Sequence, residues 1–391
     1  MLHFVKSFLP HNMKRQVKEL FVFTTLINFA LALVMIFEPI YLYKIGYSLN
    51  EIMIFYFIVY VFYFIFAPLG GKFAHYFGYE QSMFVGSIFF IIFYVSLFFI
   101  AQYPILFYLT PIIFALQKMF YWPAYHANFA RFSDQKEEGR EISTLTAAVS
   151  LVFIAGPVLA GFIVSQWGYG ALFTVASIIF LAANIPTLMT RENLSLPSFS
   201  YKKAYRDLFN RENRKSFFGY IGFGEELIVM IIWPIFISVV IADIFDLGLV
   251  VTLATLITTL VIVYVGKLTD AINKRKILSL GSYIYSLAWF FRIFITNTAG
   301  VFFVDTLSRL GKDIISVPLI ALSYQKAKEQ EASHTKVVMN QVLFFEMALI
   351  VGKVLAVIAV YFLTLFIADE SLAFKITFIL AGAMSLLYML L

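Results

Sequence analysis

The stretch RENLSLPSFSYKKAYRDLFNRENRK, residues 191–215, is the one long polar segment between the apolar runs of this chain. It contains seven lysines and arginines, whereas only 13% of the 391 residues are charged and 61% are hydrophobic. Soluble globular domains have about 25% charged residues. Apolar runs of about 20 residues recur on both sides of the segment, and each can cross a hydrocarbon core ~30 Å thick. The sequence therefore predicts a polytopic membrane protein.

Twelve apolar runs can be delimited, six on each side of the polar segment. They lack the alternating pattern of a membrane β-barrel, so each predicts a membrane-spanning helix. They cover residues 20–43, 50–69, 82–100, 104–126, 142–165, 171–190, 216–241, 247–265, 277–297, 299–325, 337–365 and 371–391. We predict an all-α membrane protein with an N-terminal six-helix bundle (1–190), a cytoplasmic linker (191–215) and a C-terminal six-helix bundle (216–391).

Lysine and arginine are concentrated in alternate loops. If the N-terminus lies inside the cell, the inner segments contain 22 of the 29 basic residues, as the positive-inside rule requires. Both termini are therefore predicted to lie on the cytoplasmic side of the cell membrane. The chain has no cysteine, which excludes disulfides and thiolate metal sites. We expect no metal, cofactor or nucleic acid, and a monomer in the lipid bilayer.

An internal repeat relates the two halves at an offset of 195 residues. Gly71 falls on Gly266, Pro123 falls on Pro318, and Lys118 falls on Asp313. Many secondary transporters are built by such duplication, and their solute site lies between the two repeats.

The loop GKLTDAINKRK, residues 266–276, follows the eighth predicted span. It fits the pattern G-x-x-x-D-x-x-G-[RK]-[RK] at four positions, Gly266, Asp270, Lys274 and Arg275. The related loop at 70–81 keeps Gly71 but has His75 in place of the acid. Together with the division into six and six spans, these motifs resemble the major facilitator superfamily over essentially the whole chain. The resemblance implies a transporter that works by alternating access, with these loops taking part in the conformational change.

A second motif, AGPVLAG at residues 155–161, lies in the fifth predicted span. It is similar to the Gly-Pro-x-x-Gly-Gly element of many proton antiporters in that superfamily. The resemblance implies a hinge at Gly156, Pro157 and Gly161. Glycines also permit close helix packing, and this structural reading stays open.

Charged residues inside the predicted spans are costly in a bilayer and therefore indicate a pathway for solute or ions. The resemblance implies that the first, fourth, seventh and tenth spans line a central cavity, and these spans hold most of the charges. We assign the solute and proton pathway to Glu38, Lys118, Glu225, Glu226, Asp305, Arg309, Lys312 and Asp313. We assign supporting roles to Glu346, Lys353, Arg292, Trp233, Tyr121 and Trp122.

The tenth span has four of these charges on one helical face, because Asp305, Arg309, Lys312 and Asp313 are spaced at helical intervals. Two interpretations follow. The charges bind solute in a wet cavity, or they form a structural ladder of i,i+4 ion pairs. Lys118 lies deep in its span, and we expect it to pair with Glu38 or Asp313.

No nucleotide-binding Gly-x-x-x-x-Gly-Lys-[Ser/Thr] loop is present, so the prediction is a secondary active transporter for a small organic solute. A lipid or lysolipid flippase and a membrane-embedded lipid-modifying enzyme are the alternatives. The sequence does not support the enzyme alternative, because neither a His-rich metal motif nor a Gly-x-Ser-x-Gly nucleophile motif occurs.

The eight pathway residues carry a net charge of −2, which favours a cationic or zwitterionic solute. We expect proton coupling, with Glu226 as the first candidate carrier and Glu38 as the second. The AGPVLAG motif favours export by antiport over import.

The predicted orientation can be tested with a single engineered cysteine, since the chain contains none. Ser198→Cys lies in the linker that we place in the cytoplasm. An impermeant thiol reagent added to intact cells should leave it unlabelled and should label it after the membrane is permeabilised. Labelling in intact cells would show that the orientation is inverted.

Overall fold

The computed structural model describes residues 15–132, 138–185, 201–271, 274–332 and 338–391, and within these ranges it is helical with no β-strand. The helices are α1 Arg15–Val34, α2 Phe37–Lys44, α3 Leu49–Phe77, α4 Tyr79–Phe98, α5 Leu106–Phe132, α6 Glu138–Ala183, α7 Tyr201–Leu208, α8 Arg214–Ile221, α9 Gly224–Leu227, α10 Trp233–Val240, α11 Ile244–Ala271, α12 Lys274–Phe291, α13 Thr298–Ala332, α14 Val338–Phe366 and α15 Glu370–Ser385. The predicted all-α class is confirmed.

Eight helical segments within the described residues are long and apolar enough to cross a membrane. They are Phe21–Lys44, Leu49–Phe77, Tyr79–Phe98, Ala148–Ala183, Arg211–Val240, Lys274–Phe294, Met339–Phe366 and Glu370–Leu390. Ile244–Thr259 is a shorter apolar helix. The count of twelve spans and their division into two bundles stay predictions.

Two of the long segments are interrupted next to a proline. Between α1 and α2 the helix breaks at residues 35–36, and Pro39 has no N–H to offer the carbonyl of Met35. Between α9 and α10 the chain forms a π-helical turn, Ile228–Ile232, and Pro234 follows in the first turn of α10. Both irregularities border the cavity described below.

Helix α6 contains a third break, at Gly168. Its φ of 78° lies in the left-handed region, which glycine adopts without strain. The break falls between the fifth and sixth predicted spans, where the sequence indicated a loop.

Helices α6 and α11 cross at close range because glycine removes the side chain at the contact. Gly248 of α11 packs directly on the backbone of Pro157, and Gly161 of α6 packs on the backbone of Ile244 and Phe245. The hydroxyl of Thr252 donates a 2.8 Å hydrogen bond to the carbonyl of Ile154. Two of the three residues assigned to a hinge thus lie in a tight helix crossing.

Helices α3 and α14 form a second long contact. Near one end, Asn50 and Thr364 are hydrogen-bonded. Near the middle, the Tyr63 hydroxyl donates to Oε2 of Glu346 at 2.7 Å. At the other end, Gly71 packs against Leu343 and Met339. The contact therefore joins a helix of the first predicted half to a helix of the second along most of its length.

Helix α7 belongs to the predicted linker and packs on α3 and α14. Its Tyr205 hydroxyl lies 2.9 Å from the carbonyl oxygen of Ile65 and 3.3 Å from that of Phe64. Pro68, four residues after Phe64, cannot donate the usual helical hydrogen bond to that carbonyl. The linker helix thus supplies a donor where the proline of α3 removes one.

We expect Gly248→Ala to destabilise the protein, because the added methyl group would overlap the Pro157 carbonyl and such overpacking costs about 1–3 kcal/mol. The melting temperature of the purified protein should fall by several degrees. Gly300→Ala is the matched control, since the nearest atom to its added carbon lies 3.4 Å away. Equal melting temperatures for the two variants would contradict the tight crossing.

Candidate functional site

A cavity of about 320 Å³ lies where the α1–α2 break, α6, the π-helical turn and helices α10–α13 meet. One wall is ionic and is formed by Arg292, Asp305, Ser308, Arg309, Lys312 and Asp313. Another part is apolar and is formed by Met35, Ile36, Phe153, Met230, Trp233 and Ile237. The cavity therefore combines charged groups with an apolar surface, as small-molecule sites do.

Asp305 is the centre of one charged cluster. Its Oδ1 accepts a 2.9 Å hydrogen bond from Nε1 of Trp233, and its Oδ2 accepts one of 2.7 Å from Nε of Arg309. Nη2 of Arg292 lies 3.8 Å from Oδ1. Asp305 is buried, so two hydrogen bonds and one ion pair meet at a single carboxylate within the protein.

Arg292 enters the cavity wall from the 3₁₀ turn that follows α12. Its guanidinium lies between two indole rings, with Cζ 4.0 Å from the centroid of Trp233 and 3.6 Å from that of Trp289. Nη2 donates to Oγ of Ser308 at 2.8 Å. Only 1% of Arg292 is exposed, and Nε and Nη1 have no hydrogen-bond partner within the described part of the chain.

Lys312 is the centre of a second cluster. Its ammonium lies 2.5 Å from Oε1 of Glu225 and 3.2 Å from Oε1 of Glu226. Glu225 is fully buried and also accepts hydrogen bonds from Tyr285 and Tyr388, at 2.5 and 2.8 Å. Each charge in this cluster is therefore compensated by a direct partner.

Glu226 connects this cluster to α14, because its Oε2 lies 3.0 Å from Nζ of Lys353. It thus stands between two ammonium groups, one on α13 and one on α14. About a quarter of its side chain is exposed, in contrast to Glu225.

Arg309 and Asp313 line the cavity, and each has charged atoms that make no hydrogen bond to another described residue. Arg309 uses Nε for Asp305, while its two Nη groups make no hydrogen bond within the described residues. The Asp313 carboxylate has no hydrogen bond or ion pair there either. The i,i+4 pair of Arg309 with Asp313, which the ladder interpretation includes, is not formed.

Glu38 and Lys118 lie away from the cavity lining. Glu38 is buried and accepts a 2.6 Å hydrogen bond from the Tyr56 hydroxyl. Lys118 lies over the ring of Phe114, 4.2 Å from its centroid, and 5.7 Å from that of Tyr60. Within the described residues Lys118 forms no direct salt bridge with Glu38 or Asp313, and its nearest ring is that of Phe114; the pairing of Lys118 with one of these acids stays a prediction.

Glu346, which we assign a supporting role, contacts two helices of the first predicted half. Its Oε1 lies 3.2 Å from Nε2 of His126 on α5, and its Oε2 accepts from Tyr63 on α3. The side chains of Glu346 and Lys353 thus serve two separate contacts.

Of the three aromatic residues assigned to the site, one lines the cavity and two do not. Trp233 lines the cavity. Tyr121 is buried and stacks on Tyr125, and Trp122 stacks on His126. The structure does not bring these two to the cavity.

The residues of the loop motif at 266–276 are only partly described by the structure. Lys274 and Arg275 begin α12, and Gly266 and Asp270 belong to α11, but the side chains of the latter two lie outside the described residues. Gly156, the third hinge residue, packs on Ala32 of α1.

Several site residues were missed by reasoning from sequence. Thr255, Thr258 and Thr259 line the cavity from α11, and their i, i+3, i+4 spacing was the signal that could have revealed them. The tyrosines that bind the buried acids, Tyr56, Tyr285 and Tyr388, carry no such signal.

The family model described as Major Facilitator Superfamily matches residues 20–224, which is more than half of the chain. The chain belongs to the Major Facilitator Superfamily. It is accordingly a multi-pass membrane protein of a superfamily of membrane transporters that bind small-molecule solutes, as the sequence motifs implied. A search of curated proteins finds no match to this superfamily member.

The two clusters predict different effects when a base is removed. Lys312→Met would leave buried Glu225 without its counter-ion and should cost on the order of 3 kcal/mol in unfolding free energy. The double variant Lys312→Met/Glu225→Gln should recover much of this loss, because it removes the stranded charge.

Arg309→Met is the matched control. Asp305 would keep the Trp233 hydrogen bond and the Arg292 ion pair, so the loss should be smaller than that for Lys312→Met. Thermal denaturation of the four purified proteins measures both effects. Equal destabilisation by the two single variants would contradict the assignment of Lys312 to a structural cluster.

Proposed function

We propose that this protein is a secondary active transporter that moves a small organic solute across the cell membrane by alternating access. The observation that carries the proposal is the cavity with one ionic and one apolar wall, enclosed by helices from both predicted halves. In this proposal the chain forms twelve spans in two six-helix bundles, with both termini in the cytoplasm. The bundles rock about the cavity, which is thereby exposed to each side in turn.

The size of the cavity supports a small solute over a lipid. Its volume of about 320 Å³ is at the lower end of the roughly 300–1,000 Å³ that small-molecule pockets span. Two groups at the site also change the charge balance. Arg292 joins the cavity wall, and Lys353 pairs with Glu226, so these two bases offset the net charge of −2 that favoured a cation. A zwitterionic solute is thus favoured over a cation.

We propose protons as the coupling ion and Glu38 as the first carrier. Glu226, which the sequence favoured, stands between Lys312 and Lys353, and its protonation would remove its salt bridges to both ammonium groups. Glu38 is buried, accepts a hydrogen bond from the Tyr56 hydroxyl, and forms no direct salt bridge within the part of the chain that the structure describes. Loading a proton at Glu38 therefore breaks no salt bridge. Export by antiport is the proposed direction, on the strength of the AGPVLAG motif.

Glu38→Gln tests this coupling, because the amide keeps the hydrogen bond to Tyr56 but cannot titrate. Proteoliposomes with an imposed pH gradient and clamped membrane potential are supplied with a panel of labelled amino acids, organic cations, carboxylates and sugars. Wild type should accumulate at least one solute against its gradient. Glu38→Gln should lose accumulation and retain exchange of that solute.

The control variant is Glu370→Gln, an exposed acid that receives a hydrogen bond from Tyr43. It should accumulate the solute like wild type. Accumulation that ignores the pH gradient would contradict proton coupling, and the absence of flux for every solute class would contradict transport itself.

A further inference from the structure

The cavity contains one basic and one acidic group that protein partners do not use. Arg309 is fixed through Nε by Asp305 at 2.7 Å, which leaves its two Nη groups without a partner among the described residues. Asp313 lines the same cavity and has no partner for its carboxylate there. Unused charges within a protein are costly, and where they face a cavity they indicate a ligand of matching charge.

The other charged groups that line the cavity are either paired with protein groups or almost fully buried. Lys312 is held by Glu225 and Glu226, and Asp305 is held by Trp233, Arg309 and Arg292. Arg292 is fully buried between two indole rings. A solute in the cavity thus meets one guanidinium edge and one carboxylate that are available for binding.

The spacing of these two groups limits the solute. Arg309 and Asp313 are four residues apart on α13, so their Cα atoms differ by about 6 Å along the helix axis and their side chains share a face. They could contact each other at this spacing, yet Asp305 draws Arg309 in the opposite direction along the helix. A small molecule that carries both charges can bridge the separation, with its anion on the Nη groups and its cation on Asp313.

The remainder of the solute is defined by the apolar part of the cavity, which includes Trp233, Met230, Met35 and Phe153. An apolar cavity of about 150 Å³ holds a benzene molecule, so about 320 Å³ holds roughly a dozen non-hydrogen atoms. Such a surface suits an aliphatic or aromatic side group.

We propose that the solute is a small zwitterion with an apolar side group, of the size and chemistry of a free apolar amino acid. Its carboxylate binds Arg309 and its ammonium group binds Asp313. This inference rests on the proposed transport function and specifies its substrate class.

The experiment is a thermal-shift titration of the purified protein with leucine, methionine, phenylalanine and tryptophan, since a ligand that binds the folded state raises its melting temperature. At least one of them should give a saturable rise. Its decarboxylated amine and its deaminated acid, each lacking one charge, should bind at least roughly tenfold more weakly, as expected for the loss of one charge-assisted contact.

Two variants assign the contacts. Asp313→Asn should abolish the preference for the amino acid over the deaminated acid, and Arg309→Gln should abolish the preference over the amine. The Asp313 carboxylate has no hydrogen bond or ion pair among the described residues, so its variant keeps the test valid if Arg309→Gln fails to fold. Lys375→Gln, at an exposed position on α15, is the control and should bind like wild type.

The inference is overturned if none of the four amino acids raises the melting temperature, or if a single-charge analogue binds as tightly as its parent. Flux of another solute class in the proteoliposome panel, without binding of these amino acids, would overturn this inference and leave the proposed function intact.

Discussion

The ammonium group of Lys312 lies against two carboxylates on a neighbouring segment, 2.5 Å from Glu225 and 3.2 Å from Glu226. In hydrocarbon a carboxylate without a counter-ion is very costly, so this contact determines how α13 is rotated about its axis. Once Lys312 is directed toward α9, Arg309 and Asp313 must face the cavity, because they lie within one turn of it on the same side. The ionic wall thus depends on a salt bridge that itself takes no solute.

The tyrosines around this salt bridge explain why it can exist at such depth. Tyr285 and Tyr388 both donate to Glu225, so the carboxylate is compensated by a cation and two hydroxyls. The charge of Asp305 is compensated in a similar way, by one indole N–H and two guanidinium groups. In both clusters an aromatic residue with a polar atom replaces the water that a bilayer does not provide.

The sequence was sufficient to predict the helices, the polar face of α13 and the superfamily, because these follow from apolar run length, helical spacing and loop motifs. The sequence was not sufficient to predict which side chains the charged residues contact. The i,i+4 rule allowed Arg309 to pair with either Asp305 or Asp313. Asp305 also accepts a hydrogen bond from Trp233 on another helix, and this contact, which accompanies the choice of Asp305, could not be read from the sequence. Charge alone suggested a carboxylate partner for Lys118, and it gave no indication that the ammonium would lie over the rings of Phe114 and Tyr60. Arg292 belongs to the ninth predicted span, which is not one of the four that the superfamily pattern assigns to the cavity, yet its side chain lines the cavity.

The contact of Tyr205 with the carbonyls of Phe64 and Ile65 has a consequence for biosynthesis. Residue 205 emerges from the ribosome about 140 residues after Pro68. Until then the broken helical turn of α3 lacks the hydroxyl donor that it has in the finished protein. This turn of α3 therefore reaches its final hydrogen bonding only after Tyr205 has been synthesised, well after the helix itself.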